Sequence, residues 1–216
     1  MKKLLYITAN AKPEPDSASK TVGAALVRAL EERAPVQTET LDLYATRLPV
    51  PQPALLAGRN TLAGPEVVGT LPPADREDAA CIQRLCDQFV AADWVVLAAP
   101  MWSLSFPAVV KQYLDCIILN GKTIAFTDEK PHGLLNDRDR SFVYVQASGG
   151  RLPLLLRPVL NKGLNYVSDM MRFMGVAHVY ELLADGTGTT PEERRDALAR
   201  AMQAIGPLVN AITGER

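Results

Sequence analysis

The sequence contains few of the residues that bind metals or form disulfide frameworks. Its 216 residues include three cysteines and two histidines. The cysteines, at positions 81, 86 and 116, are odd in number, and no two have the C-x-x-C spacing. Neither a disulfide framework nor a zinc site is therefore predicted. Because free thiols are typical of a reducing compartment, we expect a cytoplasmic protein.

Long apolar runs and an excess of one charge are also lacking. No segment approaches the roughly 20 apolar residues of a membrane span. The apolar run after Lys2 and Lys3 has about five residues, fewer than a signal peptide needs. Lysine and arginine number 23 and aspartate and glutamate 24, without a basic stripe. We therefore expect no nucleic acid partner and no membrane partner, and the near balance argues against a strongly acidic electron carrier.

Three motifs of known chemistry are missing or incomplete. Neither the dinucleotide-binding pattern G-x-G-x-x-G nor the hydrolase pattern G-x-S-x-G occurs. Gly121-Lys122-Thr123 is similar to the end of a P-loop, but cysteine occupies position 116, where that motif needs glycine. Gly186-Thr187-Gly188 follows the last predicted strand, and we interpret it as a loop.

Strands and helices alternate along the chain. The predicted strands are Lys3–Ala9, Gln37–Leu43, Asp93–Ala99, Ser141–Ala147 and Val176–Leu183. The predicted helices are Ser19–Arg33, a helix capped by Asp75 that ends near Ala92, Pro107–Leu119, Arg157–Met174, and a helix from the capping box at Thr190 to about Ile212. This alternation predicts one α/β domain over residues 1–216, a doubly wound five-stranded parallel sheet of order 2-1-3-4-5 with helices on both faces.

Two segments depart from the alternation. Residues 44–74 contain six prolines and three glycines, so regular structure is not expected through most of them. A loop this long inside a compact domain is usually functional or mobile, and we expect it to cover part of a site or a subunit contact. Residues 122–140 indicate a short strand or arm with a polar turn.

Ligands of this fold class bind beyond the carboxyl ends of the strands, which selects the loops after Ala9, Ala99 and Ala147. The first contains Asp16-Ser17-Ala18-Ser19 just before a helix. A helix N-terminus favours an anion, and two hydroxyls can add hydrogen bonds to a phosphate. From this segment alone, a simple helix cap remains an alternative.

The other two loops present a flat apolar surface and two glycines. Met101 and Trp102 follow the central strand and suit contact with a planar ring system. Alternatively, Trp102 and Phe106 close the core. Gln146-Ala147-Ser148-Gly149-Gly150 allows the backbone to approach a ligand closely, although an ordinary tight turn has the same composition.

Together these segments resemble the FMN-dependent NADH-azoreductases, which belong to the flavodoxin-like quinone reductases. The resemblance is carried by P-M-W-x-x-x-x-P over residues 100–107, S-x-S over 17–19 and Q-A-S-G-G over 146–150. It extends to L-D-L-Y over 41–44 and to F-T before P-H-G-L over 126–134, and covers nearly the whole chain. Ser103 stands where many members have asparagine, and Ser148 where some have arginine.

The resemblance implies a flavodoxin-like fold, a set of cofactor contacts and an activity. The residues expected to bind FMN are Ser17, Ala18 and Ser19 at the phosphate, Met101, Trp102, Ser103 and Leu104 at the ring and ribityl chain, and Ala147, Ser148, Gly149 and Gly150 at the pyrimidine. No catalytic side chain and no metal site is expected. The resemblance further implies hydride transfer from NADH, or from NADPH, through FMN to a quinone or azo compound by a ping-pong scheme.

The resemblance also implies a homodimer with its sites at the subunit interface, where His132 is a candidate to reach a neighbour's site. Two other functions stay open. One is a flavodoxin-type carrier of single electrons without its own small-molecule reductase activity. The other is a hydrolase with Ser17, Ser19 or Ser148 as nucleophile, against which the lack of an evident histidine partner counts.

Overall fold

The computed structural model describes residues 1–214, so the last two residues of the predicted domain lie outside the described part. In chain order the strands are β1 (Lys2–Thr8), β2 (Val36–Asp42), β3 (Leu56–Gly58), β4 (Thr61–Leu62), β5 (Trp94–Pro100), β6 (Ile124–Thr127), β7 (Lys130–Gly133), β8 (Ser141–Ser148) and β9 (His178–Asp185). The helices are α1 (Ala18–Arg33), α2 (Pro65–Thr70), α3 (Pro73–Ala91), α4 (Ala108–Ile117), α5 (Arg157–Leu160), α6 (Lys162–Phe173), α7 (Pro191–Gln203) and α8 (Ile205–Thr213).

Five strands form a parallel sheet in the order β2-β1-β5-β8-β9. Counted among these five alone, the order is 2-1-3-4-5, so the predicted topology is confirmed. Every residue of β8 and all but the last of β5 are buried, because a central parallel strand is covered on both faces.

The two faces of the sheet bury separate cores. Phe142 and Tyr144 of β8 point toward α3, α4 and α6, whereas Val143 and Val145 point toward α1, α7 and α8. The alternation follows from the two-residue period of a strand. With both faces covered, the open edge at the carboxyl ends of the strands is left for a ligand.

Four sequence-based boundaries were wrong for local reasons. Asp75 is not a cap, because α3 begins at Pro73 after Pro72 and places Asp75 in its first turn. The predicted helix over Arg157–Met174 is broken at Asn161, whose side-chain oxygen accepts from the Leu164 N–H and starts α6 as a new helix. The last helix is likewise two helices, divided at Ala204. The helix that begins after Pro107 ends at Ile117, before Asn120-Gly121.

Residues 44–74 contain more regular structure than expected. They form the antiparallel pair β3–β4 and the short helix α2. Asn60 anchors the pair to the end of α4, because its side-chain amide donates to the Ile118 carbonyl and its backbone carbonyl accepts from the Asn120 N–H. Within residues 1–214, no helix combines the length and apolarity needed to cross a membrane.

Candidate functional site

A cavity of about 280 Å³ lies at the carboxyl ends of the central strands. Loops that follow β1, β5, β8 and β9 all contribute to its wall. The lining residues are Asn10, Lys12, Asp16, Ser17, Ala18, Ser19, Pro100, Met101, Trp102, Ala147, Gly149, Thr187, Gly188 and Arg194. The cavity therefore occupies the edge that the parallel topology reserves for ligands.

One end of the cavity is the N-terminus of α1. Ser17 is the cap of this helix, since its Oγ accepts from the Lys20 N–H at 3.2 Å and from the Asn10 amide at 2.9 Å. The Ser19 hydroxyl lies 3.2 Å from the Ser17 hydroxyl, and both side chains are buried. Two hydroxyls are thus held side by side at the tip of a 16-residue helix.

The backbone at this tip retains unused donors. The N–H groups of Ala18 and Ser19, the first two helical residues, have no acceptor among the described residues. Such N–H groups together with the helix dipole favour an anion. Ser17 is a cap, as the simpler interpretation held, but this role leaves the rest of the tip available to a ligand.

Charged side chains surround the same end. Lys12 and Arg194 line the cavity with Asp16, and neither cation forms an ion pair with a carboxylate in the described structure. Lys20 is different, because its Nζ lies 3.0 Å from Asp42 Oδ2. Burial alone would raise the pKa of Asp42, but hydrogen bonds from Lys20 and the Tyr44 N–H hold that pKa below its ordinary value.

Another part of the cavity wall is formed by a tight turn after β5. Trp102 and Ser105 exchange backbone hydrogen bonds of 3.0 and 2.8 Å, and Ser103 and Leu104 between them have φ of 51° and 61°. Two positive φ values in a two-residue loop define a type I′ turn, which non-glycine residues rarely adopt. The turn leaves Trp102 48% exposed beside the cavity.

Two anchors hold this turn in place. The Met101 N–H donates to the Ala147 carbonyl at 2.7 Å, which joins the second loop to the third. The Leu104 carbonyl accepts from the N–H of Lys162 at 2.9 Å and of Gly163 at 3.3 Å, at the start of α6. Phe106 packs against Tyr166, with ring centroids 5.9 Å apart, so Phe106 belongs to the packing and Trp102 to the cavity.

The third loop is braced by the segment that follows β9. The Ser148 hydroxyl lies 2.8 Å from Asp185 Oδ1, and the Ser148 backbone carbonyl accepts from the N–H groups of Gly186 and Thr187. The Gly149 carbonyl accepts from the Gly188 N–H at 3.0 Å. The Ser148 side chain is therefore directed at Asp185, while Ala147 and Gly149 face the cavity.

Seven of the eleven predicted site residues line the cavity: Ser17, Ala18, Ser19, Met101, Trp102, Ala147 and Gly149. The other four, Ser103, Leu104, Ser148 and Gly150, lie in the same loops but do not line it. Sequence reasoning missed Asn10, Lys12, Asp16, Pro100, Thr187, Gly188 and Arg194. Residues 187 and 188 could have been found by applying the carboxyl-end rule to the last strand, whereas no sequence signal marks Arg194.

Neither histidine of the chain lines the cavity. His178 begins β9 at the opposite edge of the sheet, where its Nε2 lies 3.0 Å from Asp139 Oδ1. His132 lies in β7, opposite Ala125 of β6. In the part of the chain that the structure describes, no group of three or more metal-binding side chains comes together.

Comparison with known proteins gives concordant matches. A family model described as a flavodoxin-like fold matches residues 2–208. An FMN-dependent NADH:quinone oxidoreductase of Ruminiclostridium cellulolyticum is 48% identical over 213 residues, which are 98% of this chain and 100% of that protein. One of Clostridium botulinum (strain Eklund 17B) is 47% identical over 214 residues, with 98% and 100% covered. The crystal structure of the azoreductase AzrA matches with a TM-score of 0.79 at 25% identity, covering 97% of this chain and 99% of that chain.

Proposed function

Because the chain belongs to the family defined by this flavodoxin-like fold, we propose that it is an FMN-dependent oxidoreductase that passes hydride from NADH to quinones or azo compounds. The observation that carries the proposal is the cavity itself. Its wall combines a helix tip that carries two buried hydroxyls with an exposed tryptophan on an anchored turn. This pairing suits a molecule with a phosphate at one end and a planar ring at the other.

The donor set fits FMN group by group. We infer that the phosphate is bound by the free N–H groups of Ala18 and Ser19 and by the Ser17–Ser19 hydroxyl pair. Met101 and Trp102 would contact the ring and the ribityl chain. Ala147 and Gly149 would contact the pyrimidine, with Ser148 and Gly150 holding that loop in shape. Ser103 and Leu104 would act through the conformation of the turn.

Bound FMN would supply the hydride chemistry, so the protein needs no dedicated acid, base or metal. The role of the surrounding residues is to orient the ring and to limit its access to water. Trp102, half exposed, offers a face on which an aromatic acceptor can stack. The expected kinetic scheme is ping-pong, in which the donor leaves before the acceptor binds.

We also propose a homodimer that covers the site. Large apolar side chains are exposed near the turn and just before α6. Soluble monomers rarely expose a large contiguous apolar patch. The exposed side chains are Trp102, Leu104, Leu155, Leu156 and Val159. A second copy of the chain packed there would bury them, and sedimentation equilibrium would test this directly, with Leu155→Glu expected to favour the monomer.

Three finer expectations accompany the proposal. NADH is expected as the donor, with NADPH accepted to some degree. A reducing, cytoplasmic location agrees with three buried free cysteines. Residues 1–216 are proposed to act as one FMN-binding domain.

A visible spectrum and one anaerobic titration test the function. The purified full-length protein, reconstituted with FMN, should be yellow, lose its visible flavin absorbance on addition of about one equivalent of NADH without air, and recover it with a quinone. Trp102→Ala should retain FMN more weakly and change the ranking of acceptors, while Trp94, buried in the core, is left intact. Protein that neither takes up FMN nor oxidises NADH contradicts the proposal.

The two other functions are less well supported. A one-electron carrier would give a stable semiquinone in the titration and negligible quinone turnover. A hydrolase needs a base beside its serine, and the cavity is lined by no histidine. Hydrolysis that persists in a variant with alanine at positions 17, 19 and 148 would dispose of those serines as nucleophiles.

A further inference from the structure

We propose that Arg194 and Lys12 bind the phosphate of FMN together with the N-terminus of α1, so that a residue near the end of the chain completes a site that begins near its start. The inference rests on the proposed function. It goes beyond that proposal because it names the cationic groups that give the site its preference for a phosphorylated flavin.

Arg194 is placed at the cavity by the start of α7. The capping box between Thr190 and Glu193 fixes the first turn of that helix, and Arg194 is the next residue. Its Nη2 donates to the Pro15 carbonyl at 2.8 Å, across 179 positions of the chain. A guanidinium has five N–H donors, so the remaining donors are available to a ligand in the cavity that Arg194 lines.

Lys12 approaches the same end from the loop after β1. Its backbone N–H donates to Asn10 Oδ1 at 3.0 Å, and the Asn10 amide in turn donates to Ser17 Oγ. The backbone of Lys12 thereby orients the Asn10–Ser17 contact, while its exposed ammonium group makes no hydrogen bond or ion pair within residues 1–214.

The charge distribution distinguishes these two cations from their neighbour. Lys20 is also close to the helix tip, but Asp42 neutralises it. Lys12 and Arg194 have no carboxylate partner in the described structure, so a bound dianion would supply the missing counter-charge. Charge-assisted hydrogen bonds from a guanidinium to phosphate are among the stronger contacts in proteins.

One feature of the site opposes an anion. Asp16 lines the same cavity, and none of the described residues hydrogen-bonds to its carboxylate. Its charge would repel a phosphate and lower the affinity that the two cations provide. Removing that charge should therefore tighten the binding of FMN, an effect opposite in sign to the loss of Arg194.

A purely structural role for Arg194 is the competing interpretation, since its bond to Pro15 ties α7 to the first loop. Comparison of FMN with riboflavin separates the two roles. Riboflavin has the same ring and ribityl chain but lacks the phosphate. A phosphate contact affects FMN alone, whereas a distorted loop affects both flavins.

The test measures dissociation constants for both flavins by quenching of flavin fluorescence, on full-length protein freed of flavin. Arg194→Gln should weaken FMN binding about tenfold or more, from the usual strength of a hydrogen bond to a charged group, and leave riboflavin binding unchanged. Lys12→Gln should have a smaller effect in the same direction. Arg195→Gln is the matched control, because Arg195 is exposed on the same helix and does not line the cavity.

Asp16→Asn keeps the test decisive if Arg194→Gln folds poorly, because it should tighten FMN severalfold and leave riboflavin unaffected. Equal losses for FMN and riboflavin in Arg194→Gln, or no difference from Arg195→Gln, would overturn the inference, as would an unchanged FMN affinity in Asp16→Asn. Failure of the proposed function has a different signature, in which the unsubstituted protein binds neither flavin.

Discussion

Because Gly163 has no side chain, the Trp102–Ser105 turn can lie against α6. A Cβ added at Gly163 would come within 2.8 Å of the Ser105 carbonyl carbon and 3.0 Å of its Cα, both backbone atoms. Gly163→Ala should therefore displace the turn and destabilise the fold by about 1–3 kcal/mol, the usual cost of overpacking. Urea unfolding measures the stability, and a change in the tryptophan fluorescence of the folded protein reports the displacement, because Trp102 lies in the turn whereas Trp94 is buried in the core.

Gly206 supplies the control, because it too is the second residue of a helix and a Cβ there meets nothing within 4 Å. Gly206→Ala should be neutral or stabilising, by up to about 1 kcal/mol, since alanine is the better helix former. If both substitutions have the same effect, close packing at Gly163 is not what holds the turn.

The Lys20–Asp42 pair makes stability depend on pH. The pKa of Asp42 is lower in the folded protein than its ordinary value, so the pair contributes fully above the unfolded-state value of about 3.9. That contribution is lost as the pH falls through the folded-state pKa. Asp42→Asn should cost roughly 1–2 kcal/mol at pH 7, less than a fully buried pair because Asp42 is partly exposed, and much less at pH 3.

Urea unfolding at both pH values checks this prediction, with Asp128→Asn as the control. Asp128 lies in the exposed turn between β6 and β7 and forms no ion pair within residues 1–214. A cost of Asp42→Asn that is the same at pH 3 and pH 7 would show that the carboxylate charge is not what stabilises the fold.

The buried cysteines should be chemically inert in the folded protein. Burial raises the pKa of both Cys86 and Cys116 to about 12, and Cys81 is buried as well. Since the thiolate is the reactive form, an aromatic disulfide reagent at pH 8 should label the native protein very slowly and all three thiols after unfolding in urea. Rapid labelling of native protein would contradict the buried placement.

At the scale of the helix, the start of α7 depends on one side chain. Thr190 Oγ1 accepts from the Glu193 N–H at 3.2 Å, while Glu193 Oε2 accepts from the Thr190 N–H at 3.0 Å. The Thr190 N–H and hydroxyl, together with the Thr189 N–H, donate to the Glu193 carboxylate and hold its pKa below its ordinary value. Thr190→Ala should cost about 1 kcal/mol, the typical value for a lost cap, and should also weaken FMN binding because Arg194 directly follows Glu193, the other member of the capping box.

Thr189→Ala is the matched control, because the Thr189 hydroxyl makes no hydrogen bond within residues 1–214 while its backbone N–H donates to Glu193. Thermal unfolding and the FMN dissociation constant are measured on both variants. A loss of stability shared by both would mean that the threonine hydroxyl is not the cap on which α7 depends.

Elements with a strong periodic pattern could be predicted from the sequence, but their ends could not. The strand predicted over Asp93–Ala99 lies one residue later, at Trp94–Pro100, because its pairing with β8 runs from Trp94 to Pro100, which is opposite Ala147. The break at Asn161 was missed because apolar periodicity continues through it, and only the Asn161–Leu164 hydrogen bond reveals a new helix start. Likewise, β3 and β4 are held by Asn60 contacts with α4, which no local pattern encodes.

The residues of the candidate site were likewise predictable only in part. Ser17, Met101 and Ala147 could be found because each follows a predictable strand, and the parallel topology brings those strand ends together. Arg194 could not, because its place depends on the packing of α7 beside the first loop. Ser148 shows the reverse case: its position in the loop was predictable, but the direction of its side chain depends on Asp185, its partner on the adjacent strand β9.

For the whole molecule, the cavity joins the two ends of the sequence. Its wall begins at Asn10 and ends at Arg194, so a ligand bound there contacts elements that are far apart in the chain. Unfolding separates these elements and removes the site. FMN should therefore bind only the folded protein and stabilise it by mass action.

The expected stabilisation is about 2.7 kcal/mol at a free FMN concentration of 100 times the dissociation constant, and it should grow with the logarithm of that concentration. Thermal unfolding at a series of FMN concentrations measures this stabilisation. When the dissociation constant is measured independently, the expected stabilisation has no adjustable parameter. Riboflavin at the same multiple of its own dissociation constant should stabilise the protein equally, because mass action depends only on fractional saturation. An unfolding midpoint that does not change with FMN would mean that the wall from Asn10 to Arg194 does not enclose the flavin.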